Sequence, residues 1–239
     1  MSRLTDNTTQ TYLPNKNKKF SILIIGAGIG NRMLSYGPKP FLTIKNKTIL
    51  ERQLSNINKV FKKKEIIFVC GFQYEKIKNK IPKHLKVVVN NEFETTNVSY
   101  SIKVGLDHCS TDNVLIIYGD LVFNVSCLKC PFNNESAVVI DKLNTMNERE
   151  IGCIINKGLI QNFSYDIPNK WSQIMYLCND ELSLFKKYVN DKKNKNKYGF
   201  EGLNYILEKG GKLKSFFPKR MKVMDVDCVS DIPVAENMI

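Results

Sequence analysis

No run of about 18 apolar residues occurs in the chain, which excludes a membrane-spanning helix. The first thirty residues lack the basic, then apolar, then small-residue order of a secretory leader. Paired cysteine spacing is also missing: Cys70, Cys109, Cys127, Cys130, Cys153, Cys178 and Cys228 are odd in number and scattered, so no secreted disulfide scaffold is expected. The one close pair, Cys127 and Cys130, has only His84 and His108 to turn to, whereas a four-ligand zinc site needs a second pair. These absences lead us to expect a soluble cytoplasmic protein with reduced thiols.

Acidic residues are in short supply, 23 against 36 Lys and Arg, for a net charge of +13. Such an excess invites a nucleic-acid reading, and its distribution argues against one. Lysines gather at Lys62 to Lys64 and in Asp191 to Lys197, diluted by asparagine and without interleaved aromatics on which bases could stack. We read a solvated surface with neither nucleic acid nor membrane as partner, whose general positive field attracts a small polyanion. A homo-oligomer is left open.

What is present is a rhythm of short apolar runs and amphipathic stretches. Residues 1–18 are polar and aperiodic and read as a flexible extension. From Phe20 onward, Ser21 to Ile25, Glu65 to Cys70, Lys86 to Asn90 and Asn113 to Tyr118 are β-branched runs without strict alternation, as buried parallel strands should be. Between them, Thr48 to Phe61 and Asn97 to His108 carry apolar residues at helical spacing. The pattern predicts an α/β fold, a mainly parallel sheet flanked by helices in a single domain over 19–239. The second half is less regular, with strands expected near 136–140, 151–155, 159–163, 171–177, 213–217 and 223–227. Helices are expected near 180–190 and 199–209 and from Ser230.

The chemistry gathers in Gly26-Ala-Gly-Ile-Gly-Asn-Arg32 and Pro38-Lys39. Three glycines at alternate positions after a strand let backbone N–H groups approach phosphate oxygens without a Cβ in the way. A dinucleotide fingerprint needs glycine where Asn31 stands, so a nicotinamide-dependent oxidoreductase is excluded. Arg32 and Lys39 instead bring two cations to the same side of the loop, suited to the charge on a triphosphate and its leaving pyrophosphate. Farther on, Asp120 ends a buried strand, where a carboxylate stands at the ligand crevice, although a lone aspartate there is more often a turn or cap residue. Asp225 and Asp227 alternate along an expected strand and so share a face.

This combination resembles the sugar-nucleotidyltransferase and cytidylyltransferase superfamily, whose opening motif is A-G-x-G-x-R followed by P-K-x-L, matched by Ala27, Gly28, Gly30, Arg32, Pro38, Lys39 and Leu42. Asn91 to Ser101 and Phe200 to Gly211 are similar to segments of its phosphocholine cytidylyltransferase-like branch, so that the likeness covers almost all of 20–239. The resemblance implies a Rossmann-like, glycosyltransferase-A-type sheet with a nucleotide half over about 19–120 and an acceptor half over about 121–239. It implies a nucleotidyltransferase that joins a nucleoside triphosphate to a phosphorylated small molecule. Arg32 and Lys39 are then catalytic, and Gly26, Ala27, Gly28, Gly30, Asn31, Asn97 and Ser99 bind the nucleotide. Mg2+ is the implied cofactor, held by Asp120 and Asp227 with Asp225 as a further candidate. Asn97 and Ser99 also fit a helix cap alone.

The chain departs from relatives in the acceptor half, with Tyr165 where they often carry lysine and Gln173 where they often carry glycine. Tyr165 and Trp171 could form part of an aromatic cage for a quaternary ammonium, though a single tryptophan beside a strand is more often core.

Overall fold

The computed structural model describes residues 13–142 and 150–239. The extension expected over 1–18 therefore lies largely outside the described residues. Its last part lies against a later loop, where the Asn15 N–H donates to Asn133 Oδ1 at 3.0 Å.

Among the described residues, thirteen strands and six α-helices form the body. The opening strand β1 (Phe20–Ile25) is buried at every position because both faces of the sheet are covered there. A short hairpin of β2 (Thr43–Ile44) and β3 (Lys47–Thr48) leads to helix α1 (Ile49–Val60). Strand β4 (Lys64–Cys70), helix α2 (Tyr74–Ile77), strand β5 (Lys86–Val89), helix α3 (Val98–Leu106) and strand β6 (Asn113–Tyr118) complete the first half. The second half runs β7 (Leu121–Phe123), β8 (Ala137–Asp141), β9 (Ile151–Asn156), β10 (Leu159–Tyr165) and β11 (Lys170–Cys178). Then come α4 (Asn179–Asn190), α5 (Gly199–Glu208), β12 (Lys214–Phe216), β13 (Val223–Asp225) and α6 (Asp231–Met238).

Nine strands make one sheet in the order β5-β4-β1-β6-β11-β8-β12-β10-β9. The four strands of the first half are mutually parallel. Antiparallel β11 joins β6 to β8, which extends the sheet into the second half. The predicted α/β single domain with a mainly parallel sheet is what is observed. Among the described residues no helix is long and apolar enough to cross a membrane.

Helices pack on both faces for reasons visible in their residues. On one side, α1 begins with a reciprocal capping box between Thr48 and Glu51 and buries Leu50, Leu54 and Ile57. On the other, α3 lies so close to β1 that only glycine fits at 105. A Cβ there would stand 2.0 Å from Leu23 Cδ2 and 2.8 Å from Val69 Cγ2. Gly→Ala in a helix ordinarily gains up to about 1 kcal/mol. At Gly105 we expect the opposite sign, a loss of roughly 1–3 kcal/mol from overpacking, measurable by urea unfolding of Gly105→Ala.

Two features of this frame bring distant carboxylates together. The buried Gln53 of α1 donates from Nε2 to the carbonyls of Tyr118 and Leu121, both at 2.9 Å, and so clamps the turn that carries Asp120. Strand β13 pairs antiparallel with β7, placing Asp225 opposite Leu121, and the Val226 N–H donates to the Asp120 carbonyl at 3.0 Å. The three-residue β7 was not among the predicted strands. The strand expected to run to residue 227 stops at Asp225, and Asp231 Oδ2 then accepts from the N–H groups of Asp227 and Cys228 at 2.7 and 2.8 Å. Asp227 is thus set by a turn rather than by strand alternation.

Candidate active site

At the C-terminal end of β1 the chain turns away from the sheet. Gly26 is still part of it: its N–H donates to the Val69 carbonyl at 2.8 Å, and a Cβ there would lie 2.5 Å from Pro40 Cγ. Gly26 and Ala27 are buried in this turn and are not among the residues that line the cleft. Gly28, Gly30 and Asn31 do line the cleft. Gly30 has φ 63°, a left-handed conformation that costs glycine little, and a Cβ at this position would meet Lys39 Cε at 3.1 Å. The glycine therefore both turns the chain and leaves room for the lysine stem beside it.

A turn of 3-10 helix over Asn31–Tyr36 carries Arg32, and a second over Lys39–Phe41 carries Lys39. Lys39 Nζ donates to Asp120 Oδ2 at 3.1 Å and also to Asp227 Oδ1. Arg32 donates from a terminal nitrogen to Asp227 Oδ2 at 2.6 Å. The four side chains most heavily weighted in the sequence thus meet in one place, from positions up to 195 residues apart.

Electrostatics divides the two carboxylates. Burial pushes Asp227 up, and the adjoining Lys39 and Arg32 outweigh it, so its carboxyl sits below the usual range. Burial raises Asp120 as well; Lys39 only partly offsets this while Asp225 and Asp227 add to it, so Asp120 sits above its usual value. Burial would lower the Lys39 ammonium, but Asp120 and Asp227 raise it. One shared ammonium satisfies Asp227 and leaves Asp120 with an excess of negative neighbours.

The cleft holds about 570 Å³. Asn97 lines it and also caps α3, its Oδ1 accepting from the Val98 N–H at 2.7 Å. Ser99 is buried, and its Oγ donates to the Tyr198 carbonyl at 3.4 Å, a structural contact away from the cleft lining. Tyr165 stands at the rim, 41% exposed, edge-on to Phe200 at 5.6 Å. Trp171 is only 3% exposed and sits between Tyr118 and Phe163, so it is chiefly core with one edge on the cleft. The aromatic partners of Tyr165 are Phe200 and, stacked on Phe200 at 6.1 Å, Tyr198.

Two residues of β11 have surroundings that the sequence does not show. Gln173 has φ 59° inside a bulge, where a four-residue step along β11 from Trp171 to Met175 faces the two-residue step from Ile140 to Val138. A non-glycine residue held in this region is strained, and such strain concentrates at functional sites. Lys170 is the second of the two, its Nζ bonded to Glu150 and, at 3.3 Å, to Asp225 Oδ1.

The donors at Asp120 and Asp227 are hard carboxylate oxygens close enough to share one ammonium, so one cation could bridge them. Among the described residues no group of three or more His, Cys, Asp or Glu forms a complete metal cage.

A sheet with a glycine turn, two cations and a carboxylate pair at one crevice defines an α/β domain built to hold phosphates. Residues 22–129 match the MobA-like NTP transferase domain. It is 33% identical over 107 residues to the bifunctional protein GlmU of Buchnera aphidicola, which is 44% of this chain and 23% of that protein. Across the curated relatives it matches, the aligned part spans from 22% to 54% of their length. The solved structure of the inositol-1-phosphate CTP transferase from T. maritima superposes with a TM-score of 0.74 at 18% identity, covering 92% of this chain and 94% of that one. The CTP:phosphocholine cytidylyltransferase of Streptococcus pneumoniae, LicC, gives 0.74 at 16% identity over 92% and 98%. These two likenesses establish the fold.

Proposed function

We propose that the protein joins the α-phosphate of a nucleoside triphosphate, CTP foremost, to a phosphorylated small alcohol such as phosphocholine or a related phosphate or phosphonate, with release of pyrophosphate. The observation that carries this reading is the meeting of Lys39, Arg32, Asp120 and Asp227 beside Gly28 and Gly30 in one cleft. The residues from about 19 to 120 hold the nucleotide and those from about 121 to 239 supply most of the acceptor wall.

In the reaction an oxygen of the acceptor's phosphate attacks the α-phosphorus, the new P–O bond forms, and the bond to the β-phosphate oxygen breaks with its electron pair on pyrophosphate. The attacking group is already anionic, so no side-chain nucleophile or general base is needed and catalysis is positioning plus charge neutralisation. Backbone N–H groups at Gly28 and Gly30 approach the phosphates, while Lys39 and Arg32 counter the charge that builds on the leaving group. Asp120 and Asp227 are the residues that hold magnesium, which when bound offsets the mutual repulsion of the two anionic substrates. Tyr165, Phe200 and Tyr198 give the far end an aromatic wall suited to a cationic head group.

The test incubates the protein with each nucleoside triphosphate, Mg2+ and a panel of phosphorylated acceptors while pyrophosphate is measured. We expect turnover with CTP and a phosphorylated amino alcohol. Turnover confined to sugar 1-phosphates would make the protein a nucleoside diphosphate-sugar synthase instead. Nucleotide binding without turnover on any acceptor would mark a catalytically idle scaffold.

Gln173→Gly separates conformational strain from contact at the acceptor end. The left-handed conformation costs a non-glycine residue about 1–2 kcal/mol, and glycine gives back about 0.5–1 kcal/mol in chain entropy. We expect unfolding in urea to show a gain of up to about 1 kcal/mol, together with a raised acceptor KM and an unchanged nucleotide KM.

A further inference from the structure

Lys170 opens β11 with its side chain 9% exposed, against two carboxylates that Lys39 does not touch. Glu150, at the start of β9, is 14% exposed and Asp225, at the end of β13, is 21% exposed. One ammonium between two largely buried carboxylates is a poor source of stability, because the desolvation of three charges consumes most of the Coulomb gain. Such a group is better explained by orientation. Asp225 lines the cleft, and its backbone stands opposite Leu121, next to Asp120. Its Oδ1 takes the bond from Lys170, and its Oδ2 takes no hydrogen bond among the described residues.

We propose that Lys170 is a positioning residue for the cation site: it pins one oxygen of Asp225 so that the other faces the cleft beside Asp120, and Glu150 in turn pins Lys170. The strands of the acceptor half thereby set the geometry of a carboxylate that serves the nucleotide half. This inference rests on the reading above that Asp120 and Asp227 hold a divalent cation. Partners one step removed from a metal are worth about 10- to 100-fold in affinity when removed.

The experiment titrates Mn2+ onto the full chain, alone and with CTP, and follows binding by water proton relaxation. Lys170→Met is expected to weaken Mn2+ binding about 10-fold or more, and Lys170→Arg, which keeps the charge and a donor, to retain most of it. Thermal melts accompany each variant. The double variant Lys170→Met with Glu150→Gln also removes the negative charge of Glu150, so it should recover stability relative to Lys170→Met without recovering Mn2+ affinity. Unchanged or tighter Mn2+ binding in folded Lys170→Met would overturn the proposal, because a mere counter-charge weakens cation binding and its loss strengthens it. Recovery of Mn2+ affinity in step with stability in the double variant would do the same. Failure of the unmodified protein to bind Mn2+ in either condition would instead remove the cation reading itself, so the two failures are distinguishable.

Discussion

Lys39→Ala is expected to lower kcat by about 10²–10³-fold and to destabilise the fold at the same time. The kinetic loss follows from removing a preorganised donor aimed at developing phosphate charge, a class of change with that cost. The stability loss has a different origin. Lys39 is 15% exposed and is the ammonium shared by Asp120 and Asp227, so its removal leaves two partly buried carboxylates facing each other with Asp225 nearby. Breaking a fully buried pair costs about 3–5 kcal/mol, and the residual exposure of these groups scales that down to about 1–3 kcal/mol. The packing of the lysine stem beside Gly30 is lost as well. Steady-state pyrophosphate release with the substrate pair found in the panel, and urea unfolding, measure the two effects. Wild-type turnover in the variant would end the mechanism. Lys39→Arg checks geometry, since a planar guanidinium is not equivalent to a compact ammonium beside a tight glycine turn and should rescue stability more than rate.

The part of this site that could be read in advance is the part fixed by local spacing. Gly28, Gly30, Arg32 and Lys39 all lie in the stretch that directly follows β1, and a strand followed by alternating glycines constrains where its backbone and nearby cations go. Asp120 was legible because it directly follows a buried apolar run, and the C-terminal ends of parallel strands face the crevice. Local spacing does not show that Gly26 is still held to the sheet by its bond to Val69, or that Ser99, on the inner face of α3, donates to the Tyr198 carbonyl. Motif spacing identifies a loop, and hydrogen-bond bookkeeping decides which of its members are free.

What stayed hidden depends on contacts between distant segments. Nothing about glutamine announces a positive φ, so the bulge at Gln173 became visible only through its register against β8. Lys170 and Asp225 lie on two strands of the second half and Glu150 just before a third, and their meeting follows from tertiary packing rather than from any local pattern. Trp171 and Tyr165 fell close in sequence and were paired as a cage, yet β11 buries the tryptophan against Tyr118 and Phe163. The aromatic wall is completed instead by Tyr198 and Phe200, from the start of α5. The clamp from Gln53 to the turn at Asp120 spans 65 and 68 residues and shows the same limit.

Asp120→Asn should abolish turnover as thoroughly as Lys39→Ala, with a loss of about 10³-fold or more, and yet move stability in the opposite direction. Burial, reinforced by Asp225 and Asp227, raises the Asp120 carboxyl above its usual value. An acid raised in the folded state is disfavoured there in its charged form. Its ionisation therefore withdraws stability as pH climbs from the ordinary carboxylate value through the raised one, and at neutral pH the full penalty is in place. An asparagine of the same shape carries no charge, accepts a bond from Lys39 through its amide oxygen, and escapes that penalty. We expect a higher melting temperature at pH 7, by about 2–4 °C for each kcal/mol recovered in a chain of this size, and a smaller difference at acid pH, where the native carboxyl is protonated. An acid placed at a cation site against its own stability is how a functional carboxylate differs from a structural one. Equal or lower stability of Asp120→Asn across that range would mean that Asp120 serves the fold through its bond to Lys39, and the case for a cation-holding carboxylate at the end of β6 would fall with it.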